Sequence, residues 1–198
     1  MSTDNVDTRR RRFLVNSTSV VAAVGAGFVA VPFLSSWMPS ERAKNAGAPV
    51  EVDISKLEEG RMMIVEWQSK PVWIVKRSAK TLSDLVSLDG NLRDPASENI
   101  DQQPAYAQNA NRSIKPEIAV LVGICTHLGC SPTFRPDIAA ADLGADWLGG
   151  FFCPCHSSKF DLAGRVYQGV PAPTNLAVPP HKYLSDNVIL VGEDEGAA

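Results

Sequence analysis

All four cysteines and two of the three histidines of this 198-residue chain fall in two hexapeptides, "CTHLGC" at 125–130 and "CPCHSS" at 153–158. Thiolate and imidazole are the side chains that hold zinc and iron–sulfur centres. Cys125-x-His127 and Cys153-x-x-His156 are two pairs at ligand spacing, each on a short loop after an apolar run, so two facing hairpin turns could assemble one metal site. Two disulfides with incidental histidines would suit the cysteines of an exported head, but would not explain a His beside each pair. A two-Cys, two-His zinc leaves Cys130 and Cys155 over. An iron–sulfur site with four Cys ligands uses them, but must place Cys153 and Cys155 on one cluster across a single Pro154. The better partition takes Cys125, His127, Cys153 and His156 as ligands and joins Cys130 to Cys155, a bond permitted outside the reducing cytosol.

Such loops need strands to hold them. From about Val50, "MMIVEW", "PVWIVKR", "EIAVLVGIC", "LGGFFC", "GRVYQGV" and "NVILVG" are short runs rich in β-branched and aromatic residues, bounded by Pro, Gly, Asn, Ser or Asp. "EWQSKPVWIV" reads as a hairpin, "TLSDLVSL" at 81–88 as a helix and "PDIAAADLGADW" at 136–147 as a weaker one. The class is all-β with small helical insertions. The long spacer between Cys130 and Cys153 reads as a surface elaboration.

Ahead of this head, four arginines at 9–12 precede an uncharged run from Phe13 to Met38. That run exceeds the apolar core of a cleavable signal and is long enough to cross a bilayer. The A-x-A box at 46–48 lies well past it, beyond Glu41, Arg42 and Lys44, so a retained single-pass anchor is expected. The arginines place the N-terminus in the cytoplasm and the head outside, in the periplasm of a cell with an inner membrane. Arg10-Arg11-x-Phe13-Leu14 looks like a twin-arginine export signal. Ala22, Ala26 and Ala30, with Ala23 and Gly27 beside them, make a face of small residues open to another helix. Trp37 suits a membrane interface, and 39–49 reads as a tether with a root-mean-square span of roughly 17 Å. The divisions are thus 1–12 cytoplasmic, 13–38 anchor, 39–49 tether and 50–198 head. A net charge of −3 excludes the electrostatic footprint of a nucleic-acid binder.

The two hexapeptides closely resemble the cluster-binding boxes of Rieske iron–sulfur proteins, and the wider chain resembles the Rieske subunit of quinol:cytochrome c oxidoreductase, the cytochrome bc complex. The likeness runs from the anchor through "NLRDP" (91–95), "KPEIAVLVGICTHLGC" (115–130), "FFCPCHSSKFDLAGRVYQGVPAPTNLAVP" (151–179) and "NVILVG". It implies an antiparallel β head with a small cluster-binding subdomain at about 123–173 and one 2Fe-2S cluster. Each His of the four ligands would bind one iron through Nδ1, and Cys125 and Cys153 the other, with Cys130–Cys155 the disulfide. Ser158 would hydrogen-bond a cluster sulfur, Leu128 would form the docking tip, and Gly169, Pro171 and Pro173 would belong to a proline loop covering the cluster. His156 would receive the quinol's hydrogen bond and proton. The implied partners are cytochrome b and a c-type cytochrome in a dimeric translocating complex, quinol and membrane lipid.

Neutral imidazoles in place of two thiolates leave such a cluster less negative and raise its potential, so that it can oxidise a quinol. The chain departs from the family at Ser157, often Gly, and at Phe160, often Tyr. A Rieske subunit of arsenite oxidase shares the export signal and boxes but not the chain-wide likeness. A soluble Rieske ferredoxin needs neither anchor nor extra Cys pair, and a zinc-stabilised extracytoplasmic module would be silent in EPR. His181, outside both boxes, reads as a surface residue.

Overall fold

The computed structural model describes residues 7–41, 43 and 47–194. The chain separates into two units, with the break between residues 45 and 46. The tether expected at 39–49 and the A-x-A box include residues 42 and 44–46, which lie outside the described residues, as do residues 1–6 of the cytoplasmic segment.

The first unit is a helix, α1, at Thr8–Ser35, capped by Asp7, whose carboxylate accepts the Arg9 and Arg10 amides at 2.9 and 3.1 Å. The helix therefore takes in the whole arginine run, and it stops three residues short of Met38. Twenty-eight residues extend about 42 Å, more than the roughly 30 Å of hydrocarbon, so the apolar part alone suffices to span a bilayer. Pro32 lies in the last turn, where it withholds the amide that the Phe28 carbonyl would otherwise accept, and the Ser35 hydroxyl donates to the Pro32 carbonyl.

The described residues of the second unit form three three-stranded antiparallel sheets. The first joins β1 (Val50–Asp53), β9 (Val188–Val191) and β8 (His181–Ser185). The second is β2 (Met62–Trp67), β3 (Lys70–Lys76) and β4 (Ile118–Val122). The third is β5 (Thr133–Arg135), β6 (Gly150–Cys153) and β7 (Ser158–Phe160). A helix α2 (Ala79–Ser87) begins at Ser78, whose hydroxyl accepts the Thr81 amide, as expected for the 81–88 segment.

Strand β3 is buried on both faces, and its period of two divides the core. Val72 and Ile74, with Ile118 and Val120, pack against Val52, Ile189 and Val191 of the first sheet. Trp73 and Val75, with Ala119 and Leu121, face the other way, against Phe151, Phe160 and the two buried free cysteines. Trp73 stacks on Phe151 at 4.6 Å, so the second sheet grips the strand that delivers Cys153. The β2–β3 hairpin turns through Gln68 and Ser69, both left-handed, with Trp67 opposite Lys70.

Three expectations are corrected. "GRVYQGV" makes only isolated bridges, Phe160 to Val166 and Leu92 to Tyr167. The segment 136–147 is a series of turns. Ala139 and Gly144 take positive φ, and Arg135 grips Asp142 through two 2.8 Å bonds while accepting the Trp147 indole N–H. His181 is buried, 1 % exposed, with Nδ1 2.8 Å from the Pro179 carbonyl.

Candidate metal centre

Strand β4 ends one residue before Gly123, where a side chain is excluded because a Cβ would run into the Trp73 indole. The chain then folds back on itself: the Cys125 amide donates to the Cys130 carbonyl at 2.7 Å, and the Gly129 amide to the Cys125 carbonyl at 3.0 Å. Gly129 supplies the positive φ of 85° that closes this turn. On the opposite side, Cys153 ends β6 and pairs in register with Ser158, which begins β7. Residues 154–157 form the turn between them, with Ser157 held at φ 60°. Each hexapeptide is therefore a tight loop at the end of a buried strand.

The two loops meet. Cys130 and Cys155 are disulfide-bonded. Cys125 and Cys153 are free, each 2 % exposed, and belong to the same buried cluster. The His127 and His156 rings lie edge to face with centroids 4.7 Å apart. Two thiols and two imidazoles thus gather from two loops, while His156 and Leu128 remain exposed, Leu128 to 72 %.

Burial pushes the Cys125 thiol pKa up, and the nearby Cys153 sulfur adds to this. The His127 amide and the Ser158 hydroxyl, hydrogen-bonded to the Cys125 sulfur, pull it down. A buried thiol that keeps its proton in the absence of a cation, yet is surrounded by donors suited to a thiolate, fits a metal replacing that proton. Two Cys and two His are the donor set of a Rieske centre, two ligands to each iron. The residues present fit that group.

The neighbouring residues tie the loops to a third segment. Ser158, fully buried, accepts the Ala172 amide at 3.1 Å, which fastens the proline loop to the second box. Gly169 takes a positive φ of 73°, and Pro171 and Pro173 are exposed on either side of buried Ala172. Two contacts here were not read from the sequence. Thr126 Oγ1 donates to the Thr174 carbonyl at 2.7 Å, linking the first box to the end of the proline loop, and Arg93 donates to the Val170 carbonyl at 3.1 Å. A hydroxyl between Cys125 and His127 and the "NLRDP" motif were the available signals; neither names its partner. Phe160 is fully buried in the core cluster that also holds Cys125 and Cys153, and lies opposite Phe151 in register.

Behind β7 the chain is anchored by buried charge. Asp161 accepts Arg165 Nε at 2.7 Å and the Ala163 and Arg165 amides, while Arg165 also reaches Asp89 and the Leu85 carbonyl. Arg77 and Arg112 are buried too, donating to the carbonyls of Leu162, Ala163 and Gly164. Burial lowers both guanidinium pKa values to about 10 and leaves them charged at neutral pH. This network fixes the exit of β7 and thereby the second box.

The likeness to known proteins agrees with this geometry. Residues 50–180 match the Rieske [2Fe-2S] domain, and residues 1–40 match the family described as "Ubiquitinol-cytochrome C reductase Fe-S subunit TAT signal". The chain is 60 % identical over its full length to the ubiquinol-cytochrome c reductase iron-sulfur subunit of Allochromatium vinosum, covering 95 % of that protein. It is 38 % identical to the subunit of the same name from Blastochloris viridis, over 96 % of this chain and 97 % of that one. It is 39 % identical to the Bradyrhizobium diazoefficiens subunit, over 92 % and 94 %. With both boxes assembled on one bridged pair of loops and this match running from end to end, the chain belongs to the family of Rieske iron–sulfur subunits of ubiquinol–cytochrome c reductase.

Proposed function

We propose that Cys125, His127, Cys153 and His156 hold this subunit's one Rieske-type [2Fe-2S] cluster, and that His156 is the residue that meets quinol. The observation that carries this reading is the meeting of two buried free thiols and two edge-to-face imidazoles on loops joined by Cys130–Cys155. When bound, the cluster supplies a one-electron acceptor whose potential is raised by its two neutral ligands. The protein's own part is positional and protonic. His156 is exposed, so its outer nitrogen can accept a hydrogen bond from a quinol hydroxyl and then hold the proton. Leu128 provides the apolar contact that excludes water around that bond. Ser158 directs its hydroxyl at the Cys125 sulfur while holding Ala172, so one side chain both stabilises negative charge on sulfur and orders the proline loop of Gly169, Pro171 and Pro173. Phe160 offers no hydroxyl for a further bond of this kind.

The subunit's place in the complex follows the same reading. The arginines at 9–12 stay in the cytoplasm, the apolar part of α1 after them crosses the inner membrane, and the head stands in the periplasm on the 39–49 tether. There it moves between cytochrome b, where quinol is oxidised, and a c-type cytochrome of a dimeric complex. The test is EPR of membranes reduced with dithionite. His156→Ala should abolish the Rieske signal while His181→Ala keeps it; a signal that survives loss of His156 overturns the ligand set.

A further inference from the structure

We propose that Cys153 carries a second chemistry: when no metal holds its sulfur, it attacks the Cys130–Cys155 bond and exchanges it for a Cys130–Cys153 disulfide. The inference builds on the ligand assignment above. The sulfurs of Cys130, Cys153 and Cys155 all lie within 4.8 Å of one another, so a free thiol stands beside a disulfide.

The surroundings select the direction of attack. Cys130 is partly buried and packs against the apolar cluster that contains Cys153, whereas Cys155 is exposed. Attack on Cys130 expels the Cys155 sulfur into water, which solvates the charge it carries. Attack on Cys155 would instead close a ring across Pro154 alone, whose fixed φ resists the geometry a disulfide requires. In the favoured step Cys153 gives its proton to solvent and its sulfur forms a bond to Cys130 Sγ. The Cys130–Cys155 bond breaks, its electron pair leaves on Cys155, and that sulfur takes a proton from solvent. One disulfide and two thiols remain, so no external oxidant or reductant enters.

The exchange would remove one ligand from the site and leave a thiol at an exposed position. Iron bound to Cys153 blocks it by occupying the attacking sulfur. The correct bridge is then protected only in a loaded head, so loading has to precede formation of the bridge. That order suits a chain whose first 40 residues match a twin-arginine signal family.

The experiment uses the full-length loaded protein in detergent. Iron is stripped anaerobically with a chelator, released sulfide is removed by desalting, and no thiol is added. Samples are alkylated with N-ethylmaleimide over time and mapped without reduction, with fragmentation locating the label on either side of Pro154. The expected result is label on Cys125 and Cys155 and a Cys130–Cys153 bridge in the stripped protein, at a rate independent of protein concentration. The loaded protein keeps Cys130–Cys155. The exchange should persist in Cys125→Ser and vanish in Cys153→Ser. A stripped protein that labels on Cys125 and Cys153 with the original bridge intact overturns the proposal. So does Cys125 appearing in a bridge, the mark of an unfolded chain sampling the three pairings of four cysteines. The iron content of Cys153→Ser as purified tests the ligand assignment separately.

Discussion

Changing Gly123 to Ala tests whether the core truly sets the position of the metal loops. The added methyl would collide with the Trp73 indole. Neither side can easily yield. Trp73 is 2 % exposed and stacked on Phe151, and the Gly123 amide is held by the Pro71 carbonyl at 2.8 Å. Overpacking of this sort costs about 1–3 kcal/mol, and with both partners fixed the upper half of that range, about 2–3 kcal/mol, is expected. For a head of this size that corresponds to a fall in Tm of roughly 4–12 °C. The displacement should also reach the site, because Gly123 lies two residues before Cys125 and Phe151 two before Cys153. Urea unfolding followed by circular dichroism gives the stability, and iron per chain gives the loading, which should fall. Trp73→Phe in the same chain makes room for the methyl, so the two substitutions together should be less harmful than their sum by more than about 1 kcal/mol. A Gly123→Ala protein within about 0.5 kcal/mol of the parent, or strict additivity with Trp73→Phe, refutes the reasoning.

Phe160→Tyr adds a hydroxyl within the core cluster that holds Cys125 and Cys153. A new bond to a ligand sulfur, worth about 1 kcal/mol more in the reduced state, would raise the midpoint by about 40 mV; an unchanged midpoint with the hydroxyl seen bonded to sulfur contradicts this. Ser157→Gly relieves a left-handed residue at φ 60° and should stabilise the head by about 0.5–1 kcal/mol, read as a higher urea midpoint with unchanged slope. Replacing both Cys130 and Cys155 by Ala opens a link across a sequence separation of 25, which should cost about 3.5 kcal/mol in denaturant unfolding under non-reducing conditions. Burial lowers the His181 pKa below its ordinary 6.5, so the unfolded chain binds this proton first as pH falls. His181 therefore contributes stability that is intact above about pH 6.5 and is lost below it, by at most about 1.4 kcal/mol per pH unit. Urea midpoints at pH 7.5 and 5.5 should differ more in the parent than in His181→Asn.

The chemistry of this protein was legible in the sequence because it depends on residue types at short spacing. Cys-x-His and Cys-x-x-His each place a pair of proposed ligands on a single loop, and a long uncharged run behind arginines needs no tertiary context to be read as a span. The β2–β3 hairpin and α2 were equally local, one set by alternation around a two-residue turn and the other by a serine cap. Residues 136–147 misled because their helical pattern was weak, and the grip of Arg135 on Asp142 and of its carbonyl on Trp147 outweighed it. His181 misled for the complementary reason: nothing beside it in the sequence announces a shielded pocket, which is made by Tyr106, 75 residues away, whose hydroxyl accepts its amide. Only the folded chain could show that Ser158 serves Cys125 and Ala172 at once, that Thr126 reaches Thr174, or that Cys153 stands within 4.8 Å of the bridge beside it. Ligand identity is a property of side chains and their spacing along one loop. Which sulfur faces which neighbour is decided by strand register and by a core that stacks Trp73 on Phe151, and those are fixed by contacts between residues far apart in the chain.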